Sequence, residues 1–164
     1  MLSDDRDVLA ALWGLVASSS TQVNDVVFRG SADDALLLFL LPDQTVRTAD
    51  TLHWMLRLVD APAAIAARGF PPGLAVEVGL DVADAAVPEN AGRWTLHVAE
   101  GRGRLARGGP GDVRLDVGAL ASLYTGFAGT AALVRSGRVA GDPTALARLD
   151  ACLAGRVPWM AENF

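Results

Sequence analysis

The sequence predicts an α+β fold, an antiparallel sheet with helices on one face. Three observations point to it. Apolar residues recur at helical spacing near the start of the chain and again in its last third. Between these stretches runs a series of short segments, each closed by Gly or Pro. The length of 164 residues, 51% of them hydrophobic, is enough to bury a substantial core.

The elements follow in order. Ser3, Asp4 and Asp5 precede Val8, Leu9, Leu12, Trp13, Leu15 and Val16, which recur at helical spacing. The first element is therefore an amphipathic helix with a capped, negatively charged start, ending near the serines Ser18 to Ser20. Gln22 to Phe28, rich in valine and bounded by Gly30, reads as a strand. Ser31, Asp33 and Asp34 then lead into the apolar run Ala35 to Leu41, which stops at Pro42 and reads as a short buried helix. Thr51 to Val59 comes close to alternating through Leu52, Trp54, Leu56 and Leu58 and reads as a strand. Asp60 before Pro62 opens a helix over Ala61 to Arg68, closed by Gly69. Past Pro71 and Pro72, strands are expected over Leu74 to Leu80, Arg93 to Ala99, Arg102 to Arg107 and Val113 to Val117, arranged as an antiparallel meander. The last third turns helical over Asp116 to Tyr124, Thr130 to Arg135 and Thr144 to Leu153, with Pro143 in the first turn of the final helix. The one seam in composition falls near Pro71.

Several function classes are excluded at this level. The net charge is -5, and all 14 basic residues are scattered arginines, so no basic stripe exists for nucleic acid or an anionic membrane. The longest apolar run, Ala35 to Leu41, is far too short to span a bilayer. A single Cys152 without a secretory apolar region suggests a cytoplasmic protein. His53 and His97 lack neighbours at ligand spacing, so no metal site is expected, and both read as polar-face side chains rather than bases. The glycines of Gly101 to Arg104 and of Gly108 to Gly111 lie between strands, which makes them hairpin turns rather than a phosphate cradle.

The aromatic residues suggest where a ligand could sit. An apolar cavity is expected between the sheet and the helices Asp116 to Tyr124 and Thr130 to Arg135, because small residues such as Ala119, Ala121 and Gly126 leave room beneath them. Its expected lining is Trp54, Trp94, Leu120, Leu123, Tyr124 and Phe127. Trp159 sits with Met160 and Phe164 in a tail led by Pro158, and burial of its rings favours docking into a groove, so Trp159 joins the candidate binding residues.

Five blocks also carry a resemblance when read in chain order: Trp54 to Arg68, Asn90 to Leu96, Leu115 to Leu120, Leu123 to Gly126 and Ser136 to Val139. They resemble the C-terminal half of the Eis (enhanced intracellular survival) type N-acetyltransferases, and Pro158 to Phe164 resembles that family's aromatic ending. Residues 4–49 resemble the segment just before it. The resemblance implies two parts: 1–49, the closing part of a GNAT-like domain, and 50–164, a sterol-carrier-like domain with a docked tail. It also implies that the terminal carboxylate of Phe164 serves as base toward the acceptor amine. The family's penultimate residue is often acidic and here is Asn163, a departure that weakens the carry-over of a polyamine-like substrate preference. The family's acetyl-CoA turn and its tyrosine acid belong to a first domain without counterpart in these residues. No cofactor is therefore expected in this chain, acetyl-CoA being bound elsewhere in the parent family, and Tyr124 does not inherit the acid role.

The implied function is the acceptor-site and structural region of an Eis-like amine N-acetyltransferase. The alternative is a stand-alone pocket protein that binds a hydrophobic small molecule, including a cofactor-free enzyme such as a cyclase. Expected partners are a hydrophobic or amine small molecule, together with an acetyltransferase domain or further copies of the chain.

Overall fold

The computed structural model describes residues 5–19, 21–31, 34, 46–155 and 157–160. They divide into two compact units. One takes the described residues up to Thr51 together with Trp159 and Met160, and the other is Leu52–Pro158. The helix expected over Ala35 to Leu41 lies outside the described residues.

In the first unit, helix α1 spans Arg6–Ala17. Its cap is Asp5, whose carboxylate accepts from the backbone amides of Asp7 (2.8 Å) and Val8 (3.2 Å). None of its side chains is buried. Trp13 meets Phe28 edge-on, with ring centroids 5.2 Å apart. The strand expected over Gln22 to Phe28 does not form, and Val23, Val26, Val27 and Phe28 are all exposed. A strand exists only through the backbone of a neighbour, and no described segment pairs with this one.

The second unit is built on a five-stranded sheet in the order β3-β2-β1-β4-β5. Its strands are β1 (Val76–Ala83), β2 (Gly92–Ala99), β3 (Arg102–Arg107), β4 (Val113–Asp116) and β5 (Val139–Gly141). Helix α2 (Ala61–Ala67) precedes the sheet. Helices α3 (Val117–Thr125) and α4 (Thr130–Arg135) lie between β4 and β5, and α5 (Pro143–Leu153) ends the unit. Register places Val78 beside Leu96 and Leu96 beside Leu105, while Leu80 stands between Trp94 and Val113. This one face joins Ile65, Leu120, Leu123, Leu149 and Leu153 from the helices in a single buried cluster. The period-two pattern of the strands thus meets the helical stripes, which is what an α+β layer requires. The opposite face carries polar side chains, among them Glu77 and His97, whose Oε2 and Nδ1 lie 3.2 Å apart.

Two sequence expectations are corrected here. Thr51 to Val59 is not a strand, because no strand of the sheet lies alongside it. The meander also breaks after β3, since β4 pairs with β1, and in parallel, while the other three pairings are antiparallel. Gly108 to Asp112 is therefore a crossover over the polar face of β2 and β1 rather than a hairpin turn.

That crossover is short and lies tight against the strands. A Cβ on Gly79 of β1 would stand 2.7 Å from Pro110 Cγ and 2.9 Å from the Gly111 amide nitrogen. A Cβ on Gly109 would collide with the Thr95 hydroxyl, and the backbone there has φ +115°. Thr95 is buried beneath the loop and donates to the Gly108 carbonyl at 3.0 Å. Glycine on both layers is what allows so few residues to cross two strands.

Candidate functional site

Aspartates occupy the helix starts. Each first turn leaves amides without intrahelical partners, and these would otherwise be natural anion sites. Asp5 caps α1, the Asp60 carboxylate accepts from Ala63 at 2.8 Å at the start of α2, and Asp116 accepts from Ala119 at 2.8 Å at the start of α3. Asp142 accepts from Thr144 (2.9 Å) and Ala145 (3.0 Å) at the start of α5. Helix α4 begins at Gly129, which has no side chain to offer, and Asp150 supplies the carboxylate from α5, accepting the Thr130 amide at 2.8 Å and its hydroxyl at 2.5 Å. All five α-helix N-termini among the described residues therefore already hold a carboxylate.

The most densely bonded polar cluster centres on Asn90, which is 1% exposed. Its side-chain amide donates to the carbonyls of Leu58 and Val59 and to Asp84 Oδ2, each at 3.1 Å, and its Oδ1 accepts the Ala61 amide at 2.9 Å. Its own carbonyl accepts from Trp94 Nε1 at 2.8 Å. Asp84 is buried and takes Arg57 Nη2 at 2.6 Å. Burial alone would push the Asp84 carboxyl up, but hydrogen bonds from Asn90, the Val87 amide, Arg57 and the Ala86 amide outweigh it and hold the group down at about 2. The cluster fastens residues 57–61 onto the turn after β1. Beside it lies an open cleft of about 470 Å³, lined by Val59, Asp60, Pro62, Val87, Glu89 and Asn90. A second depression of about 330 Å³ lies where Arg138 grips Asp116, its Nη2 2.7 Å from Oδ1.

A third cluster surrounds Arg68. Its guanidinium donates to the carbonyls of Tyr124 (3.0 Å), Leu153 (2.9 Å), Gly69 (3.2 Å) and Cys152 (3.3 Å), and so caps the ends of α3 and α5 together. Its plane lies 5.1 Å from the Phe70 ring centroid and 5.9 Å from that of Tyr124. Burial lowers the Arg68 pKa, opposed by Tyr124 and Cys152. The Cys152 thiol is pushed up to about 11 by burial, with Arg68 opposing, so it stays protonated and unreactive at neutral pH.

The residues expected to line a cavity have different surroundings. Leu120, Leu123 and Trp94 are buried in the common core, with Tyr124 packed against it. Trp94 also carries the Arg107 guanidinium 3.8 Å from its ring centroid, and Arg107 donates to the carbonyls of Glu89 and Ala91. Trp54 and Phe127 are exposed and outside that cluster, as is Trp159, which groups with the first unit. Neither depression described above is lined by any of them. Phe164 lies outside the described residues. Among the described residues no group of three His, Cys, Asp or Glu is placed to hold a metal ion, and no helix is long and apolar enough to cross a membrane. Asn90 and Arg68 were not singled out from sequence. Their partners lie up to 85 residues away in the chain, and no local pattern marks them.

Comparison with known proteins gives a consistent assignment. The model of the sterol carrier protein domain matches residues 61–161. A Streptomyces avermitilis protein described as an uncharacterized N-acetyltransferase is 33% identical over 123 residues, 73% of this chain and 29% of that protein. The crystal structure of a GCN5-related N-acetyltransferase from Anabaena variabilis superposes with TM-score 0.88 and 37% identity, over 93% of this chain and 39% of its own. One from Kribbella flavida gives TM-score 0.81 and 38% identity, over 99% of this chain and 42% of its own. Eis1 from Mycobacterium abscessus gives TM-score 0.55 and 35% identity, over 66% of this chain and 27% of its own. The chain thus spans well under half the length of these relatives. By the match over most of its second unit, the chain belongs to the sterol carrier protein domain family.

Proposed function

We propose that this chain forms the acceptor-side and structural part of a GNAT-type amine N-acetyltransferase of the Eis kind, and that acetyl-CoA is held by a domain outside these 164 residues. The observation that carries the reading is one of extent. Nearly the whole chain superposes on two GCN5-related N-acetyltransferases, yet it accounts for only 39% and 42% of them. The helix ends support it: a pyrophosphate needs free amides and positive potential, and the five described N-termini already hold aspartates. On this reading Phe164 is the residue whose carboxylate serves the acceptor amine.

The test is an acetyl-transfer assay with acetyl-CoA and a primary diamine. It uses this chain alone, the acetyltransferase portion of the Kribbella flavida relative alone, and the two mixed. The reading expects transfer by the mixture above that of the portion alone, and none by this chain. Transfer by the isolated chain, or no gain on mixing with a portion that binds acetyl-CoA, overturns it.

A further inference from the structure

Strand β3 is an outer edge of the sheet, paired with β2 on one side only. The Gly108 amide donates to the Arg93 carbonyl at 2.9 Å, and this fixes the phase of the ladder. Alternation along an antiparallel pair then turns the amides and carbonyls of 102, 104 and 106 toward β2, and those of Gly103, Leu105 and Arg107 outward. No other described segment bonds to these outward groups. The charge on this side of the sheet has one sign. Strands β2 and β3 hold Arg93, His97, Arg102, Arg104 and Arg107 and no carboxylate, in a chain of net charge -5. Glu77 of β1 already lies 3.2 Å from His97, and Glu100 sits in the hairpin turn before β3. Register sets Arg104 beside His97 and Arg102 beside Ala99, so both arginines stand on the polar face, and both are exposed. Neither makes a hydrogen bond or ion pair among the described residues. Arg107, on the other face, is occupied by Trp94 and the carbonyls of Glu89 and Ala91.

An open ladder gives affinity for an extended chain, and the side chains beside it select which chain. Like charges along this edge oppose pairing with a second copy. Two arginines spaced one residue apart are too few to follow a nucleic-acid backbone, but they match alternate carboxylates on an added strand. We propose that β3 is a docking edge for an extended acidic peptide segment of a partner protein, which extends the five-stranded sheet and sets its carboxylates against Arg102 and Arg104.

Titration of the full chain with a short fluorescent peptide of alternating Glu and Thr tests it. Binding should slow exchange of the 103, 105 and 107 amides by roughly tenfold or more. Methylating alternate peptide nitrogens should abolish binding in one phase and spare it in the other, because only one set of amides faces β3. The double variant Arg102→Glu, Arg104→Glu should keep its melting temperature, bind this peptide about tenfold or more weakly, and gain affinity for the counterpart of alternating Lys and Thr. Binding that ignores both methylation phases, or that leaves these amides unprotected, is a charge effect alone and overturns strand addition. No binding up to about millimolar peptide overturns it as well. Slowing of these amides with rising protein concentration and no peptide would identify a second copy as the occupant and overturn the proposal.

Discussion

Arg57 and Asp84 are 27 residues apart in sequence and 2.6 Å apart in space, and the carboxylate is 1% exposed while the guanidinium is 45% exposed. The buried partner is satisfied mainly from inside, by Asn90 and two backbone amides, so the pair closes a structural knot rather than decorating the surface. The Asp84 carboxyl is depressed from 3.8 to about 2. A depressed carboxyl stabilises the fold fully above its unfolded value, and the contribution is lost as pH falls through the folded value. Wild type should therefore lose stability between about pH 4 and pH 2 more steeply than Asp84→Asn. The variant should already melt lower at neutral pH. Parallel acid-unfolding curves for the two proteins would contradict this account of the knot.

The crossover makes a separate prediction. Gly79→Ala puts a methyl group against Pro110 Cγ and the Gly111 amide, at 2.7 and 2.9 Å. Such overpacking costs about 1–3 kcal/mol, measurable by urea unfolding. Pro110→Ala in the same background should recover part of the loss, because it removes Cγ and leaves the backbone in place. A neutral Gly79→Ala would mean that the loop does not press on the sheet.

Asp150 should matter although it lies within a helix. Its carboxylate takes both the Thr130 amide and the Thr130 hydroxyl. Asp150→Ala should destabilise by about 1–2 kcal/mol, the cost of a lost helix cap. Asp150→Asn, which keeps an acceptor, should cost less. Equal losses for both would place the effect elsewhere.

Local chemistry made much of this fold legible. The bounds of β3 and α4 follow directly from Gly punctuation and apolar spacing, and Asp60 and Pro143 mark the starts of α2 and α5. What could not be read is non-local. Val139–Gly141 is too short to show a period, and its pairing with β4 depends on a chain reversal far from either strand. The β1–β4 pairing depends on how tightly Gly108 to Asp112 can cross, which no alternation pattern encodes. Gln22 to Phe28 and Thr51 to Val59 carry strand patterns without a strand partner among the described residues, so pattern and pairing disagree there. For the candidate site, Trp94, Leu120 and Leu123 are buried, and burial is the same whether an apolar side chain faces a cavity or a packed core.

The central claim is that these residues work beside an acetyl-CoA domain rather than carrying one, and calorimetric titration of the 164-residue chain with acetyl-CoA tests it most directly. Among the described residues the α-helix starts already hold aspartates where a pyrophosphate would need free amides, which predicts no saturable heat. Stoichiometric binding with micromolar affinity would contradict the account.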